Sequence, residues 1–215
     1  MKILFFGDSI TDASRNREYP ESIGGMGYGY VRVLADRLVG NYPNKYEILN
    51  RGISGNRVVD LYSRIKCDCW NLKPDVISIL IGVNDVWHEV TRKNGVEIDR
   101  FEKVYRMIIE DTKKVLPNVK MILCEPFVLK GAATQDCEEI PDRYKQFLAT
   151  YDYAKVVKKL AEEYGLPFVA LQEKFSAGAE KNGVEYYLSD GVHPWFGGAT
   201  LIADEWMKVF KGNFD

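Results

Sequence analysis

The chain has 215 residues, of which 46% are hydrophobic and 28% charged, with a formal net charge of −2, the profile of a globular protein with one sizeable core. Its lysines and arginines are scattered rather than massed, which excludes an electrostatic nucleic-acid surface, and no apolar run approaches membrane-spanning length. The expectation is a single domain over residues 1–215, with no nucleic-acid partner and no membrane partner.

Strand-like apolar runs occur at Lys2 to Phe6, Tyr46 to Leu49, Val76 to Ile81, Lys120 to Cys124 and Phe168 to Leu171. The first begins directly after Met1 with no cleavable apolar segment, which makes a cytoplasmic location the expectation. Helical spacing fills the intervals: Tyr30/Val31, Leu34 and Leu38; then Phe101, Val104/Tyr105 and Ile108; then one long helix carrying Phe147, Tyr151, Ala154 and Ala161; and finally Ala199, Ile202, Ala203 and Trp206. Strands alternating with helices imply βαβ units, so the predicted fold is α/β, a flavodoxin-like three-layer sandwich with a five-stranded parallel sheet flanked by helices.

Two longer connections, Ile10 to Gly29 and Phe127 to Pro141, interrupt this rhythm, and long loops in compact domains tend to be functional or mobile. The first contains Gly24-Gly25-Met26-Gly27-Tyr28-Gly29, which does not follow directly on a strand as a dinucleotide fingerprint must, and reads as flexibility before a helix. Cys67 and Cys69 have no matching second pair, so with Cys124 and Cys137 they are expected to be packing thiols, and no metal is implied.

Ser9 stands where the first apolar run breaks, in Gly7-Asp8-Ser9-Ile10. In an open α/β sheet the ligand crevice lies outside the carboxyl ends of the strands, so Ser9 is a candidate nucleophile; the competing reading is a turn with a capping serine. A serine nucleophile needs a base, and the chain has only His88 and His193. His193 follows Asp190 by three residues, close enough for the carboxylate to reach the far ring nitrogen and fix the tautomer. His88 lies in a polar stretch and reads as an exposed helix or loop residue. Two further blocks end strands: Asn50 to Asn56, where the Gly55 backbone N–H would face the crevice, and Gly82-Val83-Asn84-Asp85, where the Asn84 amide would sit at the same edge.

Gly7-Asp8-Ser9-Ile10, Gly55 in its Ser-Gly-Asn turn, Gly82-x-Asn84-Asp85 and Asp190-x-x-His193 resemble, in order, the four blocks of the SGNH hydrolases, also called GDSL esterases or lipases. Ile10 stands in place of the leucine of the family name and leaves the catalytic positions untouched. The resemblance implies Ser9 as nucleophile, His193 as general base and acid, and Asp190 as its orienting carboxylate. It also implies an oxyanion hole made of the Ser9 and Gly55 N–H groups and the Asn84 amide, with no metal and no cofactor. The stretches Gly27 to Val31, Asn50 to Gly55, Ile79 to Trp87 and Asp190 to Pro194 are similar to intracellular bacterial acetylxylan esterases of this superfamily. That likeness implies a serine esterase removing acetyl groups from xylo-oligosaccharides or related carbohydrates, in a group that includes homo-oligomers.

Trp87 and Trp195, each close to a catalytic block, either line the acyl pocket or stack on a sugar, or else pack in the core. Asp12, Arg15 and Arg57 lie near the crevice and either contact substrate hydroxyls or are solvated charges. A lysophospholipase, thioesterase or broad short-chain carboxylesterase of the same fold is the first rival, although the loops lack the consecutive exposed hydrophobics of a long acyl groove. A non-catalytic carbohydrate-binding protein would have lost a catalytic residue. A phosphotransferase of the haloacid dehalogenase type would carry aspartate where Ile10 stands.

Overall fold

The computed structural model describes residues 1–214. Five strands form one sheet: β1 (Lys2–Gly7), β2 (Glu47–Gly52), β3 (Val76–Leu80), β4 (Lys120–Cys124) and β5 (Phe168–Val169). Their order is β2-β1-β3-β4-β5 and every pairing is parallel, the doubly wound arrangement predicted from the alternating pattern. Helices fill the connections: α1 (Ser9–Asp12), α2 (Tyr30–Leu38), α3 (Val58–Asp68), α4 (Val83–Arg92), α5 (Ile98–Val115), α6 (Arg143–Phe147), α7 (Thr150–Tyr164), α8 (Gln172–Asn182), α9 (Val184–Tyr187) and α10 (Phe196–Phe214).

The layers follow from strand alternation. Phe5 and Phe6 are successive on β1, so their side chains leave on opposite faces of the sheet. Phe5 packs against Tyr30 of α2 and Trp206 of α10, whereas Phe6 lies under the Arg64 guanidinium of α3. One face is therefore covered by α2 and α10 and the other by α3, with α5 and α7 continuing that second layer. Buried on both faces, Ile3, Leu4, Phe5 and Phe6 are wholly inaccessible, which is why the run reads as continuous rather than alternating. Ser78 of β3 is a polar residue within this core; it accepts the Trp206 indole N–H at 2.9 Å, so burying the tryptophan strands no donor.

Register brings three strand ends to one edge. Gly7 of β1 pairs with Gly52 of β2 and with Leu80 of β3, so the segments that follow these three residues leave the sheet side by side. The switch point of this topology, between β1 and β3, lies at that edge.

Three expectations change. The single helix expected through Phe147 and Ala161 is two helices, α6 and α7, parted at Leu148 and Ala149. Its apolar spacing crosses the break because Phe147 is buried against Trp87 while Ala154 and Ala161 are buried along α7. The glycine-rich stretch before α2 is an ordered 3-10 turn (Ile23–Met26) capped by the Ser22 side chain. Cys67 is exposed rather than packed, although Cys69 and Cys124 are buried. Among the described residues, no helix is long and apolar enough to cross a membrane.

Candidate active site

The chain leaves β1 and turns at once into α1, with Asp8 as its cap: the Asp8 carboxylate accepts the Ile10 N–H at 2.9 Å. Ser9 is thereby the first residue of a one-turn helix, and its own N–H finds no acceptor among the described residues. The helix stops at Ala13, whose φ of 43° is left-handed. Asp8 is completely buried, and its second oxygen has no hydrogen-bond partner among the described residues. Burial pushes this carboxyl up to about 7.

His193 approaches from the far end of the chain. Its Nε2 lies 2.9 Å from Ser9 Oγ and its Nδ1 lies 2.7 Å from Asp190. Asp190 also accepts the backbone N–H groups of Val192 and His193, at 2.9 and 2.8 Å, so the carboxylate organises the turn that carries the imidazole. Burial alone would push the Asp190 carboxyl up, but these hydrogen bonds outweigh it and hold the group below its ordinary range. The same pairing lifts the His193 imidazole above its ordinary value, against the opposing effect of burial. With Asp190 ionised, Nδ1 carries the proton and Nε2 is free to accept one from Ser9.

The loop spanning residues 127–141 holds this turn in place, backbone to backbone. Leu129 donates to the Gly191 carbonyl and Ala133 to the Asp190 carbonyl, each at 2.8 Å. Thr134, fully buried, ties the loop to itself by donating to the Leu129 carbonyl at 2.6 Å and accepting the Gly131 N–H at 2.9 Å. Gly131 lies so close that a Cβ there would meet the Asp190 carbonyl carbon at 2.5 Å.

The third part of the site follows β2. Ile53 donates to the Gly7 carbonyl at 3.0 Å, and Asn56 closes a turn onto the Ile53 carbonyl at 3.2 Å. Gly55 takes a φ of 82° within it, a backbone conformation that favours glycine, and its N–H has no acceptor among the described residues. Asn84, in the first turn of α4, donates one amide hydrogen to the Asn56 carbonyl at 3.1 Å, leaving the other amide hydrogen available to a ligand. Ser9 N–H, Gly55 N–H and Asn84 Nδ2 are the three open donors around Ser9 Oγ.

Several charged side chains serve the framework rather than the cleft. Asp12, expected beside substrate hydroxyls, is only 2% exposed; it accepts the N–H and hydroxyl of Ser54, at 2.9 and 3.1 Å, and the Arg17 guanidinium at 2.5 Å. Arg15 is buried on the Gly52 carbonyl at 2.8 Å. Arg57 is held by Asp60 at 3.0 Å and by the Asn94 carbonyl at 2.8 Å. These placements are corrections: each of these charges is engaged by side-chain or backbone partners of the protein itself. Arg64, which no local pattern marks, binds Asn56 Oδ1 and the carbonyls of Arg51 and Gly7, at 2.7, 2.9 and 3.1 Å, joining the ends of β1 and β2.

Ser9 and His193 stand where two depressions meet. One, of about 310 Å³, is lined by Ile10, Ala13, Ser14 and Gly29. The other, of about 470 Å³, is lined by Gly55, Asn84, Trp87, His88 and Arg92. Trp87 stands edge-on to Phe147 and 5.8 Å from the His193 ring, so it belongs to the cleft wall and the core at once. Trp195 is in neither: it is 55% exposed and leans on Phe196. His88, expected to be solvated, is half-buried in the second depression. A larger groove of about 820 Å³ between α2 and α10 contains neither Ser9 nor His193. Among the described residues, no cluster of three His, Cys, Asp or Glu side chains is placed to hold a metal ion.

The profile of the GDSL-like lipase/acylhydrolase family matches residues 5–198. The chain is 34% identical over 213 residues to an acetylxylan esterase of Geobacillus stearothermophilus, covering 96% of this chain and 92% of that protein. It is 28% identical over 224 residues to an isoamyl acetate-hydrolyzing esterase of Saccharomyces cerevisiae, covering 98% and 86%. Among solved structures it is similar to a GDSL-like lipase of Parabacteroides merdae, with a TM-score of 0.86, 38% identity and coverage of 98% and 95%. It is likewise similar to the Geobacillus stearothermophilus acetylxylan esterase, with a TM-score of 0.83, 34% identity and coverage of 100% and 94%.

Proposed function

The chain belongs to the GDSL-like lipase/acylhydrolase family and is a carboxylic ester hydrolase; we propose that it is a serine esterase that removes acetyl groups from xylo-oligosaccharides or related carbohydrates. The observation that carries the catalytic reading is the unbroken relay from Asp190 to His193 to Ser9, 2.7 and 2.9 Å long, facing three open donors. His193 Nε2 takes the Ser9 proton as Oγ attacks the acyl carbonyl. The oxyanion that forms is held by the N–H groups of Ser9 and Gly55 and by the Asn84 amide. His193 then gives its proton to the departing sugar oxygen, leaving an acetyl-serine, and a water activated by the same imidazole releases acetate. Asp190 stays ionised throughout and stabilises the imidazolium.

Acetyl is favoured over long acyl chains because the walls around Ser9 are short and mixed: Ala13, Ser14 and Gly29 on one side, Gly55 and Asn84 on the other. Two relatives named for acetyl esters, the acetylxylan and isoamyl acetate enzymes, point the same way. Trp87 offers an aromatic edge to a sugar ring beside His193. A cytoplasmic setting fits the four cysteines, all free thiols.

The test is acetate release from acetylated xylo-oligosaccharides, with Ser9→Ala as the comparison. Rapid release by the wild type, reduced at least about 10⁴-fold in Ser9→Ala, is the expected outcome. Release that survives the substitution overturns the nucleophile. Absence of release from either protein, with short-chain aryl esters still cleaved, removes the sugar assignment and leaves a broad carboxylesterase.

A further inference from the structure

The larger depression has a property that the acyl chemistry does not use. Its outer wall is the last turns of α4, where His88 and Arg92, four residues apart, share one helix face and both line the cleft. Among the described residues, neither side chain makes a hydrogen bond or an ion pair, although Arg57 close by is fully engaged with Asp60 and the Asn94 carbonyl. Among the described residues, no carboxylate lines this arm. Asp190 stands behind His193, Glu89 is turned to the Gly95 N–H at 3.1 Å, and Asp85 is buried on the Val58 N–H at 3.0 Å. Burial first, then the charges of Arg92 and Arg57, hold the His88 imidazole below its ordinary value, with Asp60, itself bound to Arg57, acting in the opposite direction. In a chain of net charge −2, a cleft arm with an unpaired guanidinium and no acid is a local reversal of sign.

We propose that this arm is a subsite for a carboxylate carried on the sugar portion of the ester, with Arg92 as its anchoring cation, so that the enzyme prefers acetylated oligosaccharides bearing a uronic acid over uncharged ones. The inference rests on the carbohydrate esterase reading above. A sugar seated against Trp87, with its ester at Ser9, extends past Gly55 and Asn84 toward Arg92. Guanidinium matches carboxylate in planar, two-point geometry, and the exposed Arg92 at the rim of the arm is unpaired and so available to it. The opposite depression, walled by Ile10, Ala13, Ser14 and Gly29 beside Ser9 and His193, has no Asp, Glu, Lys or Arg among its described lining residues and suits the acetyl methyl.

Calorimetric binding to the Ser9→Ala protein tests this without turnover. A xylo-oligosaccharide bearing one glucuronic acid should bind about fivefold to tenfold more tightly than the uncharged oligosaccharide of equal length, and raising the salt concentration should shrink that ratio. Adding Arg92→Ala should bring the ratio close to one, and Arg92→Lys should restore part of it. Equal affinities with Arg92 present, no binding of either sugar, or a preference that persists in Arg92→Ala would each overturn the subsite. If succinate instead is the ligand that loses affinity in Arg92→Ala, the carboxylate belongs to the acyl portion and the sugar assignment falls. Hydrolysis of a neutral acetyl ester by the protein with Ser9 intact reports separately on the esterase reading.

Discussion

The Ser9 side of the cleft hangs from strand ends, whereas the His193 side hangs from another loop. Ser9, Gly55 and Asn84 leave β1, β2 and β3 at one edge, and their spacing is set by the pairing of Gly7 with Gly52 and Leu80. The turn carrying Asp190 and His193 is held at the carbonyls of Asp190 and Gly191 by backbone bonds from Ala133 and Leu129, about sixty residues earlier in the chain and outside any strand. The first half inherits the rigidity of the sheet, while the second depends on a few buried contacts between irregular segments. Catalysis requires both, so damage to either half should be felt at Ser9, by different routes.

Asp190→Asn should have the largest effect on the loop half, lowering kcat by about 10³- to 10⁴-fold because the amide cannot hold the required tautomer or stabilise the imidazolium. His193 must be neutral to act as a base, so kcat/KM rises with pH through its raised pKa. Removing the carboxylate that raises it should move that limb to lower pH. An unmoved limb would remove Asp190 from its assigned role. On the sheet half, Asn84→Ala should reduce kcat by about 10²- to 10³-fold with KM little changed and the melting temperature nearly kept; a near-normal kcat would take the amide out of the oxyanion hole. Thr134→Val is the smallest and sharpest probe. It touches neither Ser9 nor His193, yet it strips the partners from the buried Leu129 carbonyl and Gly131 N–H, at about 1–3 kcal/mol of stability. The activity should fall with it, by roughly tenfold, because the His193 turn loses its support. Wild-type melting and activity in Thr134→Val would show that the two loops do not depend on each other.

The sheet half was the more legible in sequence. Runs such as Ile3-Leu4-Phe5-Phe6 are apolar because both faces of the strand are covered, and their ends locate the crevice before any side chain is placed. Ser9 and His193 were drawn together by scarcity, since the chain offers only two histidines, and they lie in one cleft. What escaped was set by distant backbone. Asp12 and Arg57 read as cleft charges because the nearby partners Arg17 and Asp60 do not by themselves show which way the side chains turn, whereas Ser54 for one and Asn94 for the other come from distant segments. Arg64 and Thr134 gave no signal, since binding a carbonyl has no preferred spacing. His88 was misplaced for a related reason: polar neighbours mark a helix face as wet without telling whether that face borders a cleft.

The lone oxygen of Asp8 ties folding to acidity in a direction opposite to that of the chemistry. A carboxyl that releases its proton near 3.8 when unfolded but holds it to about 7 when folded binds that proton more tightly in the native state. Its contribution to stability is therefore complete below the first value and drains away as the pH climbs to the second. His193, by contrast, becomes a competent base only as the pH rises. Melting temperatures of the wild type and Asp8→Asn, compared from acid to alkaline pH, should shift steadily in favour of the asparagine, which has no proton to lose; parallel curves would refute the coupling. In this protein the residue next to the nucleophile makes the native state least secure in the range where the nucleophile is most easily activated.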